Sequence, residues 1–169
     1  MYWRYNVTPM GYYDVAQICL NGHMINDHAQ TRSQHNQEFC SKCAATTIIG
    51  CPQCDTPIRG YYEVEGVIDF SEEQVPVPAF CQHCSKAFPW TESRLEAAHD
   101  LAGQLELDVP DRTLLEKSIE EIVRDTPRAP AEAMRFKTIV EKAKPWGLKA
   151  FKEILYGIAG EAVKRMIWP

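Results

Sequence analysis

The sequence has no run of about 18 uncharged apolar residues, so nothing in it reads as a membrane span. Its start, Met1-Tyr2-Trp3-Arg4-Tyr5, lacks the basic-then-apolar build of a secretion signal. A soluble, cytoplasmic protein is the expectation. Positive charge is scarce: 18 Lys+Arg against 23 Asp+Glu leave a net −5, which gives the whole chain no electrostatic footprint for nucleic acid. Neither a Gly-rich phosphate loop nor a Ser/His/Asp signature is present. The cysteines are odd in number, 7, and with no signal for an oxidising compartment a disulfide framework is disfavoured. What is there is 169 residues, 45% hydrophobic and 24% charged, enough for one medium domain or two small ones.

The cysteines carry the information. Six of them form Cys40-Ser41-Lys42-Cys43, Cys51-Pro52-Gln53-Cys54 and Cys81-Gln82-His83-Cys84. The seventh stands in Cys19-Leu20-Asn21-Gly22-His23, where His23 supplies the missing partner. Four pairs make eight ligands, the complement of two tetrahedral zinc sites. Two thiolates separated by two residues sit on one tight turn, where both sulfurs reach one ion while backbone N–H groups donate to them. A catalytic zinc keeps one position open for water, and a set of four protein ligands leaves none. Two structural Zn2+ ions are therefore expected. Spacing alone allows three pairings: sequential (Cys19, His23, Cys40, Cys43 and Cys51, Cys54, Cys81, Cys84), nested, or alternating as in RING-like modules.

The run Cys19 to Asn26 and Phe39-Cys40-Ser41-Lys42-Cys43 resemble bacterial zinc ribbons that open with a Cys-x-Asn-Gly-His knuckle and close with Phe-Cys-x-x-Cys-Gly. With Cys51-Pro52-Gln53-Cys54, Pro57-Ile58-Arg59-Gly60 and the stretch from Pro78 to Trp90, the front half resembles an uncharacterised bacterial double zinc-ribbon family. That resemblance implies sequential pairing and a ribbon fold, and no activity. Ala44 and Ser85 depart from it, standing where such knuckles carry glycine, so mild strain is expected there.

Strands are expected over 12–18, 45–50 and, with a bend, 61–70, and a polar loop over 26–38. The acidic segment from Ser71 to Pro78, with two prolines, reads as extended. These strands are too few for an ordinary core, so metal binding has to supply the difference. After Trp90 the period changes to a helical one. Ser93-Arg94-Leu95-Glu96 fits a capping box, Pro110-Asp111 opens a second helix, and Ala133, Phe136, Ile139, Val140 and Ala143 mark a third. One long last helix is expected from Leu148 to Ile167. The fold class is thus α+β: tandem zinc ribbons over 1–90, then an all-helical region of about four helices over 91–169.

Catalysis has few groups to draw on. With the cysteines and His23 committed, His28 and His35 read as solvated loop residues, His83 as part of a knuckle, His99 as a salt-bridging surface residue, and Glu72-Glu73 as a solubilising loop. An enzyme is not expected. Residues 128–169 hold 9 Lys+Arg against 4 Asp+Glu, whereas residues 1–107 hold 6 against 13. Nucleic acid, a less favoured partner, would use Lys137, Lys142, Lys144, Lys149, Lys152, Lys164 and Arg165, with Tyr12, Tyr13, Tyr61 and Tyr62 as stacking platforms. The favoured role is a non-catalytic interaction module with a protein partner or a second copy. A RING-like adaptor and peripheral membrane contact by the last helix are further alternatives.

Overall fold

A computed structural model describes residues 11–64, 66–67, 75–144 and 146–168. The chain divides into two compact units, Met1–Phe88 and Pro89–Pro169. The architecture is α+β, with short antiparallel strands in the first unit and five helices in the second.

In the first unit β1 (Gly11–Val15) pairs with β5 (Arg59–Val64), and β2 (Gln17–Cys19) lies between β3 (Met24–Asn26) and β4 (Thr47–Ile48). The single strand expected over 12–18 is thus divided between two sheets. The register of β1 against β5 shifts between Tyr13 and Val15. Asp14, in that irregularity, is 1% exposed and accepts hydrogen bonds from the N–H groups of Val15, Gln30 and Thr31 and from the Thr31 hydroxyl. Burial pushes its pKa up, but these hydrogen bonds outweigh burial and leave it below the ordinary value. One carboxylate therefore fixes both the bulge and the entry to the following loop.

That loop is polar, as expected, and it is tightly organised. Gln17 donates to the Gln37 carbonyl and the Thr47 hydroxyl, both at 2.8 Å, and accepts from the Gln37 N–H. Asn26 donates to the Arg32 carbonyl at 2.9 Å and to Asn36 at 2.7 Å, with a 3-10 turn at Ser33–His35 between them. Expected strand residues 68–70 and the acidic residues 71–74 lie outside the described residues. Among the described buried apolar residues of this unit only Ile18, Ile58 and Phe88 are large, and four of the others are cysteines.

The second unit comprises α1 (Pro89–Gln104), α2 (Val109–Arg124), α3 (Ala129–Ala143), α4 (Gly147–Leu155) and α5 (Glu161–Ile167). Helix α1 starts at Pro89, ahead of the expected capping box, because proline suits the first helical turn and Trp90 and Thr91 are already buried. Asp108 caps α2 by accepting the Asp111 N–H at 2.8 Å, as the Pro110-Asp111 signal implies. The one long last helix expected from Leu148 to Ile167 is instead two, α4 and α5. The break brings the chain close to two charged side chains: a Cβ on Gly157 would run into the Arg94 guanidinium, and one on Gly160 into the Asp125 carboxylate. Both helices pack on α3, and the apolar stripe (Phe151, Leu155, Val163, Ile167) is buried in this unit's own core. Phe136 centres that core, edge-on to Phe151 at 5.0 Å and to Trp168 at 6.3 Å.

Candidate metal centres

Each CxxC segment folds into the same turn. In the first, the Cys40 N–H donates to the Ala45 carbonyl (2.8 Å) and the Ala44 N–H to the Cys40 carbonyl (2.7 Å). Cys51 with Thr56 and Asp55, and Cys81 with Lys86 and Ser85, repeat that pattern. The turns close on bridges Phe39–Thr46, Gly50–Pro57 and Phe80–Ala87. The Cys-x-Asn-Gly-His turn differs: Gly22, at φ 82°, lets the chain double back so that the Cys19 N–H donates to the His23 carbonyl at 3.0 Å.

Strand β2 carries Cys19 beside β4, which leads away from Cys43, and this brings the first two turns together. Cys19, His23, Cys40 and Cys43 place their ligand atoms within 4.8 Å of one another, and so do Cys51, Cys54, Cys81 and Cys84. The grouping is sequential; neither the nested nor the alternating set is formed. In the first cluster His23 Nδ1 is 3.5 Å from the sulfurs of both Cys19 and Cys40, and Cys19 Sγ is 3.8 Å from Cys43 Sγ. In the second the Cys51–Cys84 and Cys54–Cys81 sulfurs are each 3.7 Å apart. In both clusters two ligands are buried and two half-buried. Either cluster could hold a metal ion.

The sulfurs are further supported from outside. The Asn21 amide donates to Cys43 Sγ at 3.3 Å, and the Thr56 hydroxyl lies 3.3 Å from Cys54 Sγ. The backbone N–H of His23 reaches Cys19 Sγ, and that of His83 reaches Cys81 Sγ. These contacts polarise the thiols. The Ala45 N–H, then the Asn21 amide, bring Cys43 down to about 6. The Thr56 hydroxyl and N–H do the same for Cys54, also to about 6. For Cys84 the lowering by the Lys86 N–H is overcome by burial and by the surrounding thiols, which push it up to about 12. Burial raises Cys19, and the Cys84 N–H lowers Cys81. Within each cluster some thiols are thus shifted toward the thiolate and others away from it, and a metal held there would displace the protons that remain.

A family model described as an uncharacterized protein conserved in bacteria (DUF2321) matches residues 12–167. The chain belongs to this family. The match runs from the first strand through the last helix and so spans both cysteine clusters and the helical region. No curated protein and no solved structure matches the chain.

Other singled-out residues of this DUF2321 member fall as follows. His83 and His35 are exposed, and neither ring joins a cluster. His99 pairs with Glu120 at 3.2 Å, the surface contact expected of it. His28 differs from the solvated residue anticipated: it is 8% exposed, with Nδ1 2.6 Å from Asp27, Nε2 3.1 Å from Glu63, and its ring stacked on Tyr61 at 4.8 Å. The sheet pairing brings Glu63 there from a distant stretch of chain, so no local pattern signals it. Glu72 and Glu73 lie outside the described residues. Asn21 lies inside the Cys-x-Asn-Gly-His pattern, whereas nothing in the local sequence marks Thr56 as a partner of a sulfur.

Proposed function

We propose that this protein is a non-catalytic zinc-binding module of the cytoplasm, in which two structural zinc ions hold a small rigid platform for contact with another protein. The observation that carries the reading is the spacing of the ligand atoms. A tetrahedral zinc with Zn–S bonds of about 2.3 Å and a Zn–N bond of about 2.0 Å sets neighbouring sulfurs about 3.8 Å apart and nitrogen about 3.5 Å from sulfur. The separations of 3.7–3.8 Å and 3.5 Å fall on those values. Four protein ligands at each ion leave no place for a reactive water. Bound zinc would supply cross-linking, and this chain's groups would fix its geometry: Asn21 donates to Cys43 Sγ, the Thr56 hydroxyl stands where it would donate to the Cys54 thiolate, and the knuckle N–H groups donate to the buried sulfurs.

Contact through the first ribbon is supported by Leu20 and Phe39, 37% and 54% exposed, which both meet Thr46, Leu20 by donating to its carbonyl and Phe39 through a β-bridge. Several cations of the helical unit are already engaged: Lys142 with Asp111, Lys144 with Glu106, Lys164 with Glu161. That weakens the nucleic-acid alternative. The sequential grouping counts against a RING-like adaptor, which needs alternating pairs.

The test is metal analysis joined to X-ray absorption on the purified chain. Two zinc per chain with only sulfur and nitrogen neighbours is expected; an oxygen ligand at either ion would overturn the structural assignment. A Leu20→Asp, Phe39→Asp variant that keeps both ions should lose proteins that co-purify with the wild type, and their retention would remove the platform from this face.

A further inference from the structure

The first unit contains a groove of about 340 Å3 beside the second cluster. Its walls include Tyr13, Arg59, Pro76, Pro78, Phe80 and Phe88, and one end reaches the backbone turn that carries Cys81. Arg59 is the one charged side chain among the described residues that line it. The guanidinium lies over the Tyr13 ring, 4.8 Å from its centroid, and Tyr13 is itself braced by Tyr62 at 4.8 Å. Among the described residues no carboxylate lies within ion-pairing distance of Arg59.

Three features select a ligand. Aromatic and proline walls accept an apolar body, and the volume lies at the small end of the range for small-molecule sites. Proline has no N–H, so Pro76 and Pro78 offer the ligand no backbone donor, and Arg59 is the one cationic donor among the described lining residues, beside the neutral Gln82 and Tyr13. A planar guanidinium stacked on an aromatic ring keeps its donor fork pre-oriented, and that fork matches a carboxylate in two parallel hydrogen bonds.

We infer that this groove binds a small apolar carboxylate, with the apolar group against Phe80 and the prolines and the carboxylate on Arg59. The same chemistry is offered by a free aryl or alkyl acid and by the terminal residue of a peptide. The inference goes beyond the platform reading and does not depend on it.

The test is an NMR titration of the full, metal-loaded chain with hydrocinnamate and its neutral analogue hydrocinnamamide. Saturable shifts at the amides of Arg59, Phe80 and Gln82 are expected, with a Kd on the order of 1 mM or tighter for a ligand of this size. The amide should bind about tenfold more weakly. Arg59→Gln should weaken the acid about tenfold and leave the amide unchanged, Arg59→Lys should fall between, and Val75→Trp should block both. Each variant is compared at equal metal content, and Arg59→Lys keeps the charge test available if Arg59→Gln fails to fold. A short peptide ending in phenylalanine, with a free or amidated terminus, assigns the source: tighter binding of the free-carboxylate peptide than of hydrocinnamate identifies a chain terminus, and the reverse a free acid. Equal affinity for acid and amide, or unchanged acid binding in Arg59→Gln, would overturn the inference. So would an absence of saturation up to about 20 mM for both the acid and the free-carboxylate peptide.

Discussion

At each CxxC turn the residue after the second cysteine takes a left-handed backbone: Ala44 at φ 56°, Asp55 at 57° and Ser85 at 58°. Aspartate tolerates this region through its short polar side chain, whereas alanine pays the full Cβ clash. For Ala44→Gly, relief of about 1–2 kcal/mol of clash exceeds the extra backbone entropy of about 0.5–1 kcal/mol. The variant should therefore be more stable by roughly 0.5–1 kcal/mol in denaturant titration of the metal-loaded protein, and a loss of stability would contradict the strain. A second residue-scale expectation concerns Asn21, whose amide supports the Cys43 sulfur. Asn21→Ala should weaken metal retention about tenfold in competition with a chelator, with Thr56→Val weakening the other centre comparably. The ligands were legible in the sequence because Cys-x-x-Cys spacing is local. Thr56 was not, because a threonine two residues past a cysteine has no distinctive pattern until the turn aims its hydroxyl.

Between elements, the seam of α2 and α3 holds a carboxylate that periodicity would exclude from a core. Glu132 is 2% exposed, accepts from the Ser118 hydroxyl at 3.0 Å, and meets Arg135 at 2.6 Å. Glu132→Ala removes the partner of a buried hydroxyl and leaves a void, so a loss of about 2–4 kcal/mol is expected in urea unfolding of the helical unit. Replacing both groups, Ser118→Ala with Glu132→Leu, should recover much of that loss; failure to recover would assign the cost to packing instead of hydrogen bonding. The expected last helix failed at this same scale. Leu148 to Ile167 keeps one helical period, and Gly157 and Gly160 are tolerable in a helix on propensity alone. The close approach of Arg94 and Asp125 to these glycines exists only in the folded unit and leaves no trace in the local sequence.

For the whole molecule, the two units differ in the apolar core that each builds. The helical unit has a continuous core around Phe136, Phe151 and Leu155, whereas Ile18, Ile58 and Phe88 are the large buried apolar residues described in the first unit. Structural zinc in small domains contributes on the order of 10–16 kcal/mol, more than such a core can supply. Chelation at neutral pH should therefore abolish the dispersed amide signals of residues 11–64 while most of the helical circular dichroism persists, and zinc should restore them. Persistence of the strand signals without metal would show that the polar locks at Asp14, Gln17 and Asn26 suffice.

The sequence by itself determined the eight candidate ligands, the change from strand to helical period after Trp90, and the apolar faces of the helices, because each is written in spacings of a few residues. Tertiary structure decided which pairs of cysteines face one another, the division of one expected strand between two sheets, the enclosure of His28 and Glu132, and the groove beneath Arg59. Those outcomes depend on which distant segments come to lie side by side, and a sidechain's partners across such a contact leave no periodic trace in the chain that carries it.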